Sequence, residues 1–130
     1  MRVMLFNPAI RPEQFGRFAA LLEPMPCIGV AYVGTFLSRA GHEVRIFDDF
    51  ALRLGHEAFL DAIAAFRPHV LGASVLTPVA LDVQSLLREA KRRHPALRCF
   101  VGNIHADLFP GEFSDTCDAV VHGEGEQAAV

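Results

Sequence analysis

The apolar positions of the chain follow two alternating patterns, short continuous runs and helical spacings. The short runs are rich in β-branched and aromatic residues, and polar residues do not alternate within them. Continuous apolar runs of this kind are typical of parallel strands that are covered on both faces. The predicted strands are 3–6, 44–47, 70–73, 99–101 and 119–121, of which the last is the weakest run.

Between these strands, apolar residues recur every three or four positions, which predicts three amphipathic helices. The first ends at Gly41, because glycine readily adopts the left-handed backbone that closes a helix. The second ends before Pro68, and the third ends in the cationic residues 91–93, which suit the negative end of the helix dipole. The predicted buried faces are Val30, Val33, Phe36, Leu37 and Ala40; Phe59, Leu60, Ile63 and Phe66; and Val79, Val83, Leu86, Leu87 and Ala90. A shorter helix is expected before the fifth strand.

This alternation of strands and helices predicts the α/β class, with right-handed crossovers and helices on both faces of a parallel sheet. We expect a doubly wound, flavodoxin-like (Rossmann-like) three-layer sandwich with five strands in the order 2-1-3-4-5. The longer dinucleotide-binding order is disfavoured because the chain has residues for five strands only. In this order the winding reverses between strands 1 and 3, and ligands bind there, beyond the carboxyl ends of the strands.

The connections at that edge are unusual. The first runs from 7 to 27 and contains four prolines, whereas about 2 to 6 residues suffice for such a connection. Connections of this length are often functional. The other loops at the same edge are 74–78, 102–105 and 122–126. We therefore expect a ligand at this edge.

Four residues in these loops have alternative interpretations. Gly102 and Asn103 leave little side-chain bulk, so that a ligand can approach the backbone, but the same pair also forms ordinary turns. Ser74 and Thr77 offer hydroxyl groups. Thr77 precedes Pro78, which favours a helix cap over a ligand contact for its side chain. Capping explains Ser74 less well.

Histidines and acids give weaker signals. His105 and His122 lie close enough to the edge to contact a ligand. Glu124 and Glu126 form either a carboxylate pair at the edge or the acids of a helix entry at 123–126, which leads into a helix expected over 125–130. The remaining histidines lie at element ends without metal-binding spacing, so no metal site is predicted. These are His42, His56, His69 and His94.

Composition narrows the class of protein. With 130 residues, of which 52% are hydrophobic, the chain fits one domain with a real core. The net charge of −3 argues against nucleic-acid and anionic-membrane partners. No apolar stretch approaches the roughly 18 residues of a membrane span, and the start is too short for a signal peptide, so a cytoplasmic protein is expected.

The cysteines and the missing catalytic motifs limit the chemistry. Cys27, Cys99 and Cys117 form neither a zinc pattern nor the CxxxCxxC pattern of an iron–sulfur cluster. Cys99 lies in an apolar run and is expected to be a small buried hydrophobic residue. No nucleophile elbow, P-loop or Ser-His-Asp order is present. The sequence predicts binding and assigns no catalytic residue.

Six segments, in order along nearly the whole chain, carry a family resemblance: 3–8, 26–32, 41–44, 68–74, 101–105 and 118–126. Their ordered set resembles the N-terminal cobalamin (B12)-binding domain of B12-dependent radical SAM proteins. This group includes methyltransferases and the anaerobic magnesium-protoporphyrin ester cyclase. No single segment is highly specific for this family, whereas the ordered set of segments is.

The resemblance implies a pocket for the nucleotide tail of cobalamin. The family's S-x-L motif matches 74–76, and its G-G pair matches Gly102 and Asn103, so asparagine stands where the family has a second glycine. Segment 27–30 and the residues after the third strand would face the corrin ring. The candidate cofactor-binding residues are Asn7, Pro8, Cys27, Ile28, Gly29, Ser74, Val75, Leu76, Thr77, Gly102, Asn103, His105, His122, Gly123 and Glu124.

The family's D-x-H-x-x-G motif, whose histidine ligates cobalt from below, is absent from 7–12. The resemblance therefore implies base-off cobalamin with no histidine below the cobalt. Residues 1–130 are expected to be the cobalamin-binding domain at the N-terminal end of a longer radical SAM enzyme. Its [4Fe–4S] cluster, CxxxCxxC motif and S-adenosylmethionine would belong to a downstream barrel that determines the reaction, methyl transfer or a related radical step.

Two alternatives remain open at this point. The first is a cofactor-free docking or substrate-recognition domain of a radical SAM protein, which the asparagine at 103 favours slightly. The second is a flavin- or nucleotide-binding flavodoxin-like protein. That class needs a phosphate-binding loop rich in glycine and hydroxyl groups after the first strand, whereas 7–17 contains several prolines and one glycine.

Overall fold

Residues 1–21 and 25–125 are described by the structure, a computed structural model. They form one parallel sheet of five strands. The strands are β1 (Arg2–Asn7), β2 (Glu43–Asp48), β3 (Val70–Ser74), β4 (Arg98–Gly102) and β5 (Ala119–Val120). Their order is β2-β1-β3-β4-β5, which confirms the predicted doubly wound topology. For the first four strands the predicted bounds are short by at most one residue at either end.

Five α-helices connect the strands: α1 (Ile28–Arg39), α2 (Asp49–Leu52), α3 (Gly55–Phe66), α4 (Ala80–Arg93) and α5 (Ile104–Leu108). Short 3-10 segments occupy Pro12–Leu21, Thr77–Val79 and Pro110–Phe113. The three long helices and the short α5 were predicted, whereas α2 and the 3-10 segment in the first loop were not. The helix expected over 125–130 falls mainly on 126–130, outside the described residues.

Successive residues of β1 point to opposite faces of the sheet and so divide the core in two. Met4 and Phe6 join the larger core, under α3, α4 and α5. The ring of Phe6 stacks on Phe59 of α3, with centroids 4.0 Å apart. On the other face, Val3 and Leu5 join a smaller core with Val30 and Leu37 of α1. The predicted faces of α3 and α4 are confirmed, since every residue named for them is buried.

The predicted face of α1 was partly wrong. Val30 and Leu37 are buried, but Phe36 and Ala40 are exposed. Gly34 lies on the buried face instead, where an added Cβ would stand 3.2 Å from the side chain of Ile46. The helix therefore packs with its glycine against β2, and this rotation turns Phe36 outward.

The two faces of the sheet are covered differently within the described residues. On the smaller-core face, α1 packs over β1 and β2. The part of this face formed by β3 and β4 opens into a cleft. None of the helices described is long and apolar enough to cross a membrane.

Asp118, which directly precedes β5, bonds to β4 and α4 through its carboxylate. Its contribution to stability can be tested by varying the pH. Its carboxylate accepts hydrogen bonds from Cys99 N–H (2.8 Å), Lys91 Nζ (2.9 Å) and Arg98 (3.0 Å). These contacts, the backbone N–H first, lower the pKa of Asp118 from 3.8 to about 2. The stabilisation is therefore complete above the ordinary pKa and is lost as the pH falls through about 2.

We expect Asp118→Asn to lower the free energy of unfolding by about 1 to 2 kcal/mol at neutral pH. The difference from the wild type narrows as the pH approaches 2, because the wild-type carboxylate then becomes protonated. Urea denaturation across this pH range measures both effects. Asp115→Asn, which changes an exposed carboxylate nearby, is the control. A pH-independent difference between wild type and Asp118→Asn would contradict this prediction.

Candidate functional site

A cleft of about 400 Å³ lies at the carboxyl end of the sheet, beside the start of α1. It occupies the point where β1 and β3 continue into helices on opposite faces, as the strand order requires. Its inner walls are apolar, and its few polar side chains come from the loops. The lining residues are Leu5, Cys27, Gly29, Val30, Val33, Gly72, Ala73, Ser74, Phe100, Gly102, Asn103, Val121, Gly123, Glu124 and Gly125.

Seven of the fifteen candidate residues line this cleft. They come from four separate parts of the sequence: Cys27, Gly29, Ser74, Gly102, Asn103, Gly123 and Glu124. The other eight do not line it: Asn7, Pro8, Ile28, Val75, Leu76, Thr77, His105 and His122. Sequence reasoning missed the inner walls, which include Leu5, Gly72, Phe100 and Val121. The apolar runs that contain these residues predict strands but do not say which residue faces a cavity.

Asn103 holds a backbone conformation that glycine normally adopts. Its φ is 79° and its ψ is 172°, a region that costs other residues on the order of 1–3 kcal/mol. Two side-chain hydrogen bonds offset this cost: Oδ1 accepts from Ile104 N–H (2.7 Å), and Nδ2 donates to Ser74 Oγ (2.9 Å). The asparagine therefore keeps the glycine-like path of the backbone and links the ends of β3 and β4.

The bond from Asn103 also determines what Ser74 can offer. Because Ser74 Oγ accepts from the amide, its own proton remains available to an acceptor in the cleft. Ser74 was the hydroxyl that helix capping explained less well, and the structure gives it a different partner. The mouth of the cleft thus carries a hydroxyl group that can donate to a ligand.

The first turn of α1 forms another part of the mouth. Cys27 is the N-cap residue, and no side chain caps the helix or places an acid in its first turn. The first N–H groups of a helix lack partners within it, and they lie at the positive end of the helix dipole. Gly29 and Val30 of this turn line the cleft. Such a helix start can bind a phosphate group.

Thr77 does not cap a helix, so that prediction was wrong. The N-cap of the turn Thr77–Val79 is Leu76, without a side-chain bond. Thr77 Oγ1 instead pairs with Nδ1 of His105 (3.1 Å), whose Nε2 pairs with Glu112 (3.0 Å). Both ring nitrogens of this buried histidine are thus occupied, and His105 joins the loops after β3 and β4.

The remaining candidates surround the cleft. Asn7 donates to Asp48 across the ends of β1 and β2 (2.9 Å), and His122 pairs with Asp107 (2.6 Å). Pro8 and Val75 are buried. Ile28 and Leu76 are exposed apolar residues near the mouth.

The long first loop crosses the edge of the sheet and is anchored on its far side. Arg11 forms an ion pair with Asp82 in α4 (2.8 Å), and Gln14 donates to the carbonyl of Pro78 (3.0 Å). The loop leaves apolar side chains exposed, among them Phe18 and Met25. The described part of the loop is thus held to α4 and to the turn before it, with apolar side chains left on the surface.

The cysteines occupy different environments. Cys99 is buried, as expected, and burial raises its pKa to about 12, so that its thiol stays protonated. Burial also raises the pKa of Cys117. Cys27 is half-buried and faces the cleft. Within the described residues, no group of three side chains is arranged to hold a metal ion.

An apolar cleft with a few oriented polar groups, at the switch point of a doubly wound sheet, defines a ligand-binding domain of the flavodoxin-like class. The chain belongs to the B12-binding domain family, whose model matches residues 17–130. This match confirms the resemblance seen in the sequence and the class of cofactor that it implied.

Curated relatives extend the comparison. The chain is 32% identical to the hopanoid C-3 methylase of Methylococcus capsulatus, covering 99% of this chain and 25% of that protein. It is 28% identical to the anaerobic magnesium-protoporphyrin IX monomethyl ester cyclase of Rubrivivax gelatinosus, covering 98% of this chain and 23% of that protein. The chain thus spans about a quarter of the length of these relatives.

A solved structure shares the fold. The cobalamin-dependent S-adenosylmethionine radical enzyme OxsB, with aqua-cobalamin and S-adenosylmethionine bound, superposes with a TM-score of 0.77 at 16% identity. The match covers 96% of this chain and 17% of that one. It supports the same doubly wound sheet in both proteins.

The strain at Asn103 predicts different stabilities for two small substitutions. Asn103→Gly loses both side-chain bonds but relieves the strain, so its free energy of unfolding should stay within about 1 kcal/mol of the wild type. Asn103→Ala loses the same bonds and keeps the strain, so it should be less stable than Asn103→Gly by about 1 to 3 kcal/mol. Urea denaturation measures both values. Equal stability of the two variants would show that the positive φ imposes no cost.

Proposed function

We propose that this chain binds cobalamin in the base-off form, with the nucleotide tail in the cleft and the corrin ring over the carboxyl edge of the sheet. The observation that carries this proposal is the arrangement of Ser74, Gly102 and Asn103. Ser74 lies 28 residues before Gly102 in the sequence, and the fold brings Ser74 next to Gly102 and Asn103 on one wall of an apolar cleft.

The described residues fit a nucleotide tail in size and chemistry. A cleft of about 400 Å³ lies within the range of small-molecule sites, and it is too small for a corrin macrocycle. Gly102 leaves room where another residue would carry a side chain, because an added Cβ there meets only Val121, at 3.6 Å. The Ser74 hydroxyl can donate to an acceptor on the tail, and the first turn of α1 can receive its phosphate.

The corrin ring would then rest on exposed apolar side chains of the loops and helix starts that follow β1, β3 and β4. Exposed side chains there include Met25 and Ile28 before and in α1, and Leu76 and Ile104 after β3 and β4. Exposed apolar side chains at this edge suit one face of a macrocycle. The residues of this chain would bind and orient the cofactor, and bound cobalamin would supply a cobalt centre that can carry a methyl group.

Two observations favour the absence of a lower histidine ligand. The loop after β1 has no histidine at 7–12. His105, close to the cleft, is buried and holds Thr77 and Glu112 with its two ring nitrogens. Coordination of cobalt by His105 would require breaking one of these bonds and moving the side chain out of the core.

We further propose that the chain serves as the cofactor domain of a longer radical SAM enzyme that catalyses methyl transfer or a related radical reaction. The relatives named above are about four times as long as the region they share with this chain. The [4Fe–4S] cluster and S-adenosylmethionine would then belong to a downstream barrel domain. This chain would bind cobalamin so that the face of the corrin ring turned away from the sheet is exposed to that domain.

Cobalamin binding through the cleft predicts a contrast between two glycine substitutions. A Cβ at Gly102 would make only an ordinary contact with Val121 (3.6 Å), so Gly102→Ala should fold while placing a methyl group in the cleft. We expect about tenfold weaker cobalamin binding, because filling a packed site costs about 1 to 3 kcal/mol. Gly111→Ala is the matched control, since an added Cβ there meets nothing within 4 Å.

The measurement is a titration with hydroxocobalamin under reducing, oxygen-free conditions, followed by gel filtration to detect retained corrinoid. If the wild-type chain retained no corrinoid at high micromolar concentration, the cofactor-free docking function would replace this proposal. Yellow purified protein with flavin absorption would favour the flavin-binding alternative. Equal affinity of the two glycine variants would move the binding site away from the cleft.

The base-off form is tested by electron paramagnetic resonance of the complex with cob(II)alamin. An axial nitrogen ligand splits the cobalt lines further, whereas a form without nitrogen below the cobalt lacks this splitting. We expect no nitrogen splitting in the wild-type complex and the same spectrum for His122→Ala. Nitrogen splitting that disappears in His105→Ala or His122→Ala would identify a lower histidine and contradict the proposal.

A further inference from the structure

Gly72 and Phe100 face each other on neighbouring strands inside the cleft. They are paired in the register of β3 and β4. A Cβ built on Gly72 would stand 2.3 Å from Cζ of Phe100 and 2.7 Å from each of its two Cε atoms. The two equal distances and the only slightly shorter third place the Cβ directly above Cζ. The ring therefore lies flat over Gly72.

This arrangement explains a glycine in the middle of a central strand. Glycine at such a position lowers stability by roughly 0.5–1 kcal/mol relative to alanine, so a close approach is the physical reason to keep it. Any larger residue at 72 would push the Phe100 ring away from the sheet. The pair thus sets the depth of the cleft at this point.

The second face of the Phe100 ring is turned away from the sheet. Phe100 packs in part against the smaller core, but it is only half-buried and lines the cleft, so the exposed part of the ring is accessible to a ligand. Of the lining side chains that the structure describes, Phe100 is the one aromatic, and its neighbours Leu5, Val33 and Val121 are aliphatic. The cleft therefore offers one aromatic surface between aliphatic walls.

We propose that Phe100 determines the specificity of the cleft by stacking its open face on the heteroaromatic base of the corrinoid's nucleotide tail. This inference rests on the proposed cobalamin binding. A planar base fits between an aromatic face and aliphatic side walls, and offset stacking contributes about 0.5–1.5 kcal/mol beyond the area buried. Gly72 acts as a positioning residue, because its missing side chain lets the ring lie flat.

The test compares two corrinoids that differ in the tail: cobalamin, which carries 5,6-dimethylbenzimidazole, and cobinamide, which has no nucleotide tail. We expect Phe100→Leu to weaken cobalamin binding about three- to tenfold and to change cobinamide binding by less than about twofold. Phe36→Leu, at an exposed aromatic residue on α1, is the matched control and should change neither affinity. Circular dichroism and thermal melting confirm that each variant is folded.

The outcomes separate the two levels of the proposal. No cobalamin binding by the wild type would refute the proposed function itself. Binding by the wild type with equal losses of cobalamin and cobinamide in Phe100→Leu would show a general packing role and overturn the specificity role. If Phe100→Leu kept its affinity for both corrinoids, the base would not bind against Phe100, and the proposal would be overturned.

A second measurement needs no variant and so does not depend on the folding of Phe100→Leu. The isolated tail, α-ribazole 3′-phosphate, is titrated into the wild-type chain and followed by nuclear magnetic resonance. A base stacked on Phe100 should shift the ring-proton resonances of Phe100 upfield. The ring protons of Phe113, which is buried in the larger core, should not shift. Binding of the tail without a shift at Phe100 would overturn the proposal.

Discussion

The parallel pairing of β1 with both β2 and β3 is the constraint on which the site depends. The chain runs from β1 to β2 in one direction along the sheet and from β2 past β1 to β3 in the other. Right-handed crossovers that run in opposite directions lie on opposite faces, and the backbone leaves a gap between them beyond the carboxyl ends of β1 and β3. In this chain α1 covers β1 and β2 on one face, whereas α3 and α4 pack on the other. The cleft is the space that this geometry leaves beside the start of α1.

Two polar contacts hold the loops around that space, and both use residues that the sequence made ambiguous. Asn103 ties the end of β4 to Ser74, and His105 ties the following helix to Thr77. Each bond joins the loop after β3 to the loop after β4. For Asn103 the two candidate roles, turn formation and ligand contact, are thus connected, because the turn itself positions groups that line the cleft.

The sequence predicted the strands and their order well, because continuous apolar runs and the number of crossovers determine them. It predicted the buried faces of α3 and α4 but misplaced that of α1, since the close approach of Gly34 to Ile46 is a tertiary contact with no local signal. The prediction that Thr77 caps a helix was wrong for a similar reason. A threonine before a proline has the local chemistry of a cap, and only the fold brings His105 within hydrogen-bonding distance of its hydroxyl. Phe100 was not predicted as a cleft residue, because its pairing with Gly72 depends on the register of two strands.

The bond between Asn103 and Ser74 has a kinetic consequence. Because the mouth of the cleft is tied together within the folded chain, the conformational entropy of its loops is lost during folding and not on association. Such preorganisation keeps the entropic penalty of complex formation small, and it removes loop ordering as a slow step in ligand entry. Corrinoid association would then need no ordering of these two loops, and differences in affinity between corrinoids would reside mainly in their residence times.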